Sequence, residues 1–251
     1  MKGSLRGAVE TFPPARAVVK LRRRLLDWRS QRIVGKPMMD RDQLLKFWQQ
    51  PEPEGNVPDS YIGATHRSEM LLEQLGPLPF GSRILEVGCN VGRNLAYLKD
   101  RGYPNVEGVE ISPHAVALLR KTYPQLADAD IHVGAAETVL PSLSPYDLVF
   151  TMAVLEHIHP DSVDVFDEIA RLGRAVVAVE PSPNSPHDTS RQHPHDLEAE
   201  FTHRGLRLVS IAELRDNPLV PDLGDYAVWR FEAHPGTDEE IPPSLSSKPV
   251  S

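Results

Sequence analysis

Residues 83–95, RILEVGCNVGRNL, put an apolar run, a turn bracketed by glycines and the opening of a helix in immediate succession. Ile84, Leu85 and Val87 supply a buried strand, Gly88 and Gly92 bound the turn, and Leu95 and Leu98 fall at helical spacing. A strand that turns sharply into a helix is the repeating half of a parallel sheet, and its turn is a place where a ligand meets backbone N–H groups. Glu110 closes a second apolar run 22 residues after Gly88. An acid about 20 residues beyond such a turn lies at the tip of the next strand, where it can hold ribose hydroxyls.

The turn also restricts the ligand. A dinucleotide fingerprint, G-x-G-x-x-G, needs its second glycine so that backbone can approach a pyrophosphate. Here that place is Asn90, followed by Val91 and Gly92. A side chain there crowds a diphosphate, while Asn tolerates the left-handed backbone of a tight turn. A ligand with a ribose and no phosphate is favoured, and S-adenosylmethionine is one.

With these residues in place, the chain resembles the class I S-adenosylmethionine-dependent methyltransferases. Glu86, Gly88 and Gly92 meet that family's acid-x-Gly-x-x-x-Gly pattern, and Glu110 its second-strand acid. Residues 131–137, IHVGAAE, are similar to the third-strand segment whose loop contacts adenine; residues 146–157, YDLVFTMAVLEH, and 174–181, RAVVAVEP, are similar to strands four and five. The resemblance covers about residues 60–234 and implies an α/β, Rossmann-like, doubly wound, mainly parallel seven-stranded sheet. Two strand-like runs, 204–211 and 226–234, fit the antiparallel hairpin that ends it. Ala135 stands where relatives often carry Asp, so adenine recognition is expected from the backbone at Ala136 and from Glu137.

The resemblance also implies site residues. Cofactor contacts are expected from Arg67, Glu86, Gly88, Asn90, Gly92, Glu110, Ala136, Glu137 and Met152, with Tyr61 a companion of Arg67 at the methionine end. The reaction implied is displacement of a sulfonium methyl by an acceptor atom, which asks the protein for alignment and, with a hydroxyl acceptor, for a base. Histidine suits that role near neutrality. His157 and His195 are the catalytic candidates, with His159, His187 and His193 in the same loops. No metal set is expected: where some relatives carry Glu-x-x-Glu-His, the first Glu is Ala153 here.

At 251 residues the chain fits one core with tails: a basic arm (1–40), a methyltransferase domain (41–234) and a disordered Pro/Ser-rich tail (235–251). Residues 1–36 hold ten Lys and Arg against Glu10 and Asp27, so the body is more acidic than the net charge of −8 implies. Residues 15–34 read as a basic amphipathic helix that lies on an anionic membrane surface, packs on the enzyme or a partner, or tracks a polyanion. Residues 51–60 are a Pro-rich connector. Cys89, the lone cysteine, cannot form an internal disulfide, and no apolar run spans a bilayer, so a cytoplasmic, at most membrane-associated, protein is expected. The leading function is methyl transfer to an oxygen, hydroxyl or carboxylate, of a sugar or other small acceptor in glycan or secondary-metabolite biosynthesis. An RNA methyltransferase using the arm and a catalytically silent scaffold are the alternatives; the acidic body speaks against nucleic acid.

Overall fold

The computed structural model describes residues 37–51, 57–183, 185 and 190–234. Residues 1–36 of the basic arm, residues 52–56 of the Pro-rich connector, His187 and the C-terminal tail lie outside the described residues.

Four-residue strand β1 (Ile84–Val87) is buried at every position and runs parallel to β2 (Val106–Glu110) on one side and β4 (Tyr146–Met152) on the other. β3 (Ile131–Val133) pairs parallel outside β2, and β5 (Gly173–Pro181) outside β4. The last two strands, β6 (Leu206–Glu213) and β7 (Tyr226–Ala233), form an antiparallel hairpin in which β7 pairs with β5. The strand order is β3-β2-β1-β4-β5-β7-β6. The expected sheet and terminal hairpin are both present.

Alternate residues of the central strands feed two cores. Ile84, Leu148, Phe150 and Val177 pack to one side with Met70, Leu71 and Leu95, whereas Leu85, Val149, Val176 and Ala178 pack to the other with Phe166, Ile169 and Phe201. A strand covered on both faces reads as a continuous apolar run. The helices that cover them are α2 (Thr65–Gln74), α3 (Arg93–Asp100), α4 (Pro113–Thr122), α5 (Ala136–Val139), α6 (Asp164–Leu172) and α7 (Leu197–Thr202), while α1 (Arg41–Gln49) precedes them in the chain. Their starts carry local reasons. Asp40 and Gln43 form a reciprocal capping box on α1 with both bonds at 2.9 Å, Ser112 and Pro113 open α4, and Asp196 accepts from Ala199 N at the head of α7. One face of α6 buries Val165, Phe166, Ile169 and Leu172, a helical stripe.

Open parallel sheets bind ligands beyond the carboxyl ends of their strands, at the point where the strand order reverses. Here that point lies between β1 and β4.

Candidate cofactor and acceptor site

A cleft of about 650 Å³ opens at those strand ends, walled on one side by α1. Its first wall is the turn after β1. Gly88, Asn90 and Gly92 all adopt left-handed backbone, with φ of 76°, 48° and 74°. A Cβ on Gly88 would stand 2.5 Å from Val154 Cγ2, and one on Gly92 2.5 Å from Leu119 Cδ1. Glycine is therefore required twice over, by angle and by space. Gly92 itself faces α4 and caps α3 rather than lining the cleft.

The turn positions the second-strand acid. Asn90 N donates to Glu110 Oε2 and Ser112 N to Oε1, both at 2.8 Å. Each oxygen keeps a lone pair for a further donor, such as a vicinal diol. Burial pushes the Glu110 carboxyl above the usual carboxylate range, against the pull of the two N–H groups.

Next to it, Glu86 is 2% exposed. Asn94 Nδ2 donates to its Oε1 at 2.7 Å, while Oε2 has no partner. Desolvation pushes Glu86 up to about 8, opposed by Asn94 and by the buried Arg93 guanidinium. Arg93 makes long contacts, 3.3 Å to Asn94 Oδ1, 3.5 Å to the Tyr61 carbonyl and 3.6 Å to Met152 Sδ. An orphaned carboxylate oxygen beside a weakly engaged guanidinium is the complement of an amino-acid zwitterion. Arg67 also lines this end, and its Nε donates to Asp222 Oδ2 at 3.0 Å. It thus has both the cleft position and the surface ion pair that its sequence allowed. Beyond β3, Ala136 and Glu137 line the opposite corner, where Ser162 Oγ donates to Glu137 Oε1 at 2.8 Å.

The far end of the cleft is built by a carboxylate within the sheet. Glu180, 1% exposed at the end of β5, accepts from Thr151 Oγ1 (2.8 Å) and from the backbone N–H groups of Val154, Leu155 and Glu156 (3.0–3.3 Å). These bonds cap a 3-10 turn, Leu155–His157, entered through Ala153 at φ 55°. Burial, and then the neighbouring Glu156 carboxylate, push Glu180 up to about 7. Glu156 is held in turn by the Tyr226 hydroxyl at 2.7 Å and by Gln192 Nε2.

That turn presents His157 to the cleft. Its ring lies 4.5 Å from that of Trp48 on α1, and Nδ1 is 3.1 Å from the Arg191 carbonyl. A carbonyl can only accept, so Nδ1 carries the hydrogen and Nε2 holds the lone pair. Glu156 Oε1 stands 3.8 Å from Nε2. Burial outweighs that carboxylate and holds His157 below the usual histidine value, neutral at pH 7.

His195 does not reach this cleft. Its ring packs 5.1 Å from that of Phe166, and Nε2 lies 2.8 Å from the Ile158 carbonyl, beneath the loop. His193 is likewise buried away from it, its backbone N bonded to the Glu156 carbonyl. The sequence reading missed Trp48, Arg93, Glu180 and Tyr226. For Glu180 a signal existed: an acid closing the apolar run AVVAVE, as Glu110 closes its own.

Residues 84–176 match a family described as "Methyltransferase domain". Over those residues the chain is similar to a methyltransferase domain, and its sheet has the fold of the class I S-adenosylmethionine-dependent methyltransferases. A TehB-like S-adenosylmethionine-dependent methyltransferase from Corynebacterium glutamicum superposes with a TM-score of 0.51 at 21% identity, covering 75% of this chain and 95% of that one. An O-methyltransferase of Pyrenophora dematioidea is 32% identical over 83 residues, 33% of this chain and 30% of that protein. A tRNA U34 carboxymethyltransferase of Citrifermentans bemidjiense is 30% identical over 129 residues, 47% of this chain and 40% of that one. The chain thus spans less than half the length of either curated relative. Among the described residues, no helix is long and apolar enough to cross a membrane.

Proposed function

We propose that this methyltransferase domain transfers the methyl group to an oxygen of a small acceptor, a sugar or sugar acid among the candidates, with His157 as the base. The observation that carries the reading is the lone pair of His157 Nε2, fixed by the Arg191 carbonyl, on a cleft that also holds Glu110.

The residues present fit the cofactor. Glu110 would hold the ribose hydroxyls, Glu86 Oε2 the ammonium, Arg93 with Arg67 the carboxylate, and the Ala136–Glu137 backbone the adenine edge. When bound, S-adenosylmethionine supplies an electrophilic methyl carbon on a cationic sulfur. No anion forms on the leaving side, so the protein's work is alignment and proton removal. His157 Nε2 takes the acceptor hydroxyl's proton, Glu156 steadies the imidazolium, and Glu180 holds the turn that carries both.

The test is incubation with methyl-labelled cofactor and small-molecule extract: label in an O-methyl product supports the reading, and label on nitrogen, carbon or sulfur contradicts it. An RNA acceptor is the second reading, favoured by the activity named for the C. bemidjiense relative. It requires RNA binding that weakens steeply with salt, and a gel shift with no bound species at low salt removes it. Residues 15–34 would serve the first reading as a contact to anionic lipid. Equal vesicle co-sedimentation of full-length and arm-deleted protein would end that idea.

A further inference from the structure

Glu156 and His157 are neighbours on the 3-10 turn, and the carboxylate oxygen that approaches His157 Nε2, at 3.8 Å, is Oε1. The same oxygen accepts from the Tyr226 hydroxyl at 2.7 Å. Gln192 Nε2 donates to Oε2, and His193 N donates to the Glu156 carbonyl at 2.6 Å, so the residue is tied at three points. Of these three ties, the one from Tyr226 falls on the oxygen that faces the base. Tyr226 opens β7 opposite Pro181 of β5, and its carbonyl accepts from Leu214 N at 2.9 Å. Paired strand backbone therefore fixes where the hydroxyl comes from, although it lies 70 residues from Glu156 in the chain. Burial, and then the Glu156 carboxylate, push the Tyr226 phenol well above the ordinary tyrosine range, so it keeps its hydrogen and stays a donor.

A carboxylate this close to an imidazole favours the protonated ring, and a hydrogen bond into the facing oxygen withdraws part of the charge responsible. Glu156 and the Arg191 carbonyl favour the charged form of His157, whereas burial, the Arg191 guanidinium and His193 oppose it. Trp48 covers the ring from α1 and brings no charge. Glu180 and Arg67 act in turn on Tyr226. A base must be empty before the reaction and supported after it. A Glu156 carboxylate with no donor on Oε1 would fill the imidazole too early, and no carboxylate at all would leave the imidazolium unsupported.

Resting on the methyl-transfer reading above, we infer that Tyr226 is a positioning residue for the base: its hydroxyl holds the Glu156 oxygen that faces His157 and sets how strongly that carboxylate draws a proton onto Nε2. Tyr226 acts through Glu156, and the two residues form one unit with His157.

The experiment follows the His157 ring by NMR in the full chain with isotope-labelled histidine, its signal among the ten histidines assigned by its loss in His157→Ala. Tyr226→Phe is expected to raise the titration midpoint of His157 by about 0.5 pH or more, and Glu156→Gln to lower it by about 1 pH. The double variant should match Glu156→Gln, because no charge is left for Tyr226 to attenuate. Incorporation of 3-fluorotyrosine at position 226 keeps the ring and strengthens the donor, so it moves the midpoint down and decides the matter should Tyr226→Phe not fold. With methyl-labelled S-adenosylmethionine and a small-molecule cell extract, label transfer by Tyr226→Phe at pH 6 relative to pH 8 is expected to fall about threefold further than in the wild type, with calorimetric affinity for adenosylhomocysteine unchanged. A midpoint that stays in place in Tyr226→Phe or with 3-fluorotyrosine, or that moves the same way in Tyr226→Phe and Glu156→Gln, overturns the inference and leaves methyl transfer standing. Cofactor binding with no label transfer, or transfer as fast in His157→Ala as in the wild type, overturns the reading of His157 as the base, and the role of Tyr226 with it.

Discussion

Glu110 is oriented before any ligand arrives, because two backbone N–H groups of the neighbouring turns fix its oxygens. Replacing it with alanine removes the proposed ribose acceptor and strands both donors. Glu110→Ala is expected to weaken S-adenosylmethionine binding by about 1.5–3 kcal/mol, roughly 10- to 150-fold, as read by calorimetry; unchanged affinity would contradict the placement of the ribose. Glu86 behaves differently because it starts with a carboxyl near 8 and an orphaned oxygen. A cation bound there favours the ionised form, so binding at pH 7 releases a proton and affinity rises from pH 6 toward 8. Calorimetry in buffers of different ionisation enthalpy reads that proton, and Glu86→Gln abolishes it. His157 makes the kinetic prediction. Its depressed value keeps the imidazole unprotonated at neutral pH, so kcat/KM falls only as pH drops below the ordinary histidine value of about 6.5. His157→Ala is expected to cost about 10²- to 10⁴-fold in turnover with cofactor affinity intact.

At the scale of elements, one buried carboxylate decides the shape of the acceptor end. Glu180 satisfies three N–H groups of the 3-10 turn and the Thr151 hydroxyl, so Glu180→Ala leaves buried donors unpaired. A loss of about 2–4 kcal/mol is expected, or roughly 4–16 °C in Tm by calorimetric scan, together with turnover reduced more than cofactor affinity. The sign with pH follows from its raised value. In the folded protein Glu180 prefers its proton, so its contribution is complete below about 4.5 and is lost as pH rises through about 7. The same element shows where the sequence ceases to be legible. The parallel strands could be read because burial on both faces makes them continuous apolar runs, and the glycines because their turn demands left-handed angles. Asn90 at φ 48° is the position where that reasoning reached a single residue. Helix α1 carried its own capping box, Asp40 with Gln43, yet its place over the cleft depends on Trp48 meeting His157. That contact joins residues more than a hundred positions apart and has no local signature. His195 and His157 are likewise indistinguishable as loop histidines; packing against Phe166 and the contact with the Ile158 carbonyl take His195 out of the cleft.

Across the whole molecule, the sheet order brings acids from β1, β2 and β5 to one end, and the chain holds them there by hydrogen-bond donors and burial, with Arg93 the nearby opposing charge at Glu86. Such a site is costly without its ligand, so the ligand should stabilise the fold. Cofactor at about 100 times its Kd is expected to add about 2.7 kcal/mol, a rise of roughly 5–11 °C for a domain of this size, and Glu110→Ala should lose most of it at the same concentration. The central claim is that one cleft between β1 and β4 holds the adenosyl group beside His157. A crystal structure of the complex with adenosylhomocysteine tests it most directly. The account predicts both ribose hydroxyls on Glu110, the amino group on Glu86 Oε2 and the sulfur facing His157; adenosylhomocysteine bound elsewhere, or with its ribose away from Glu110, would contradict it.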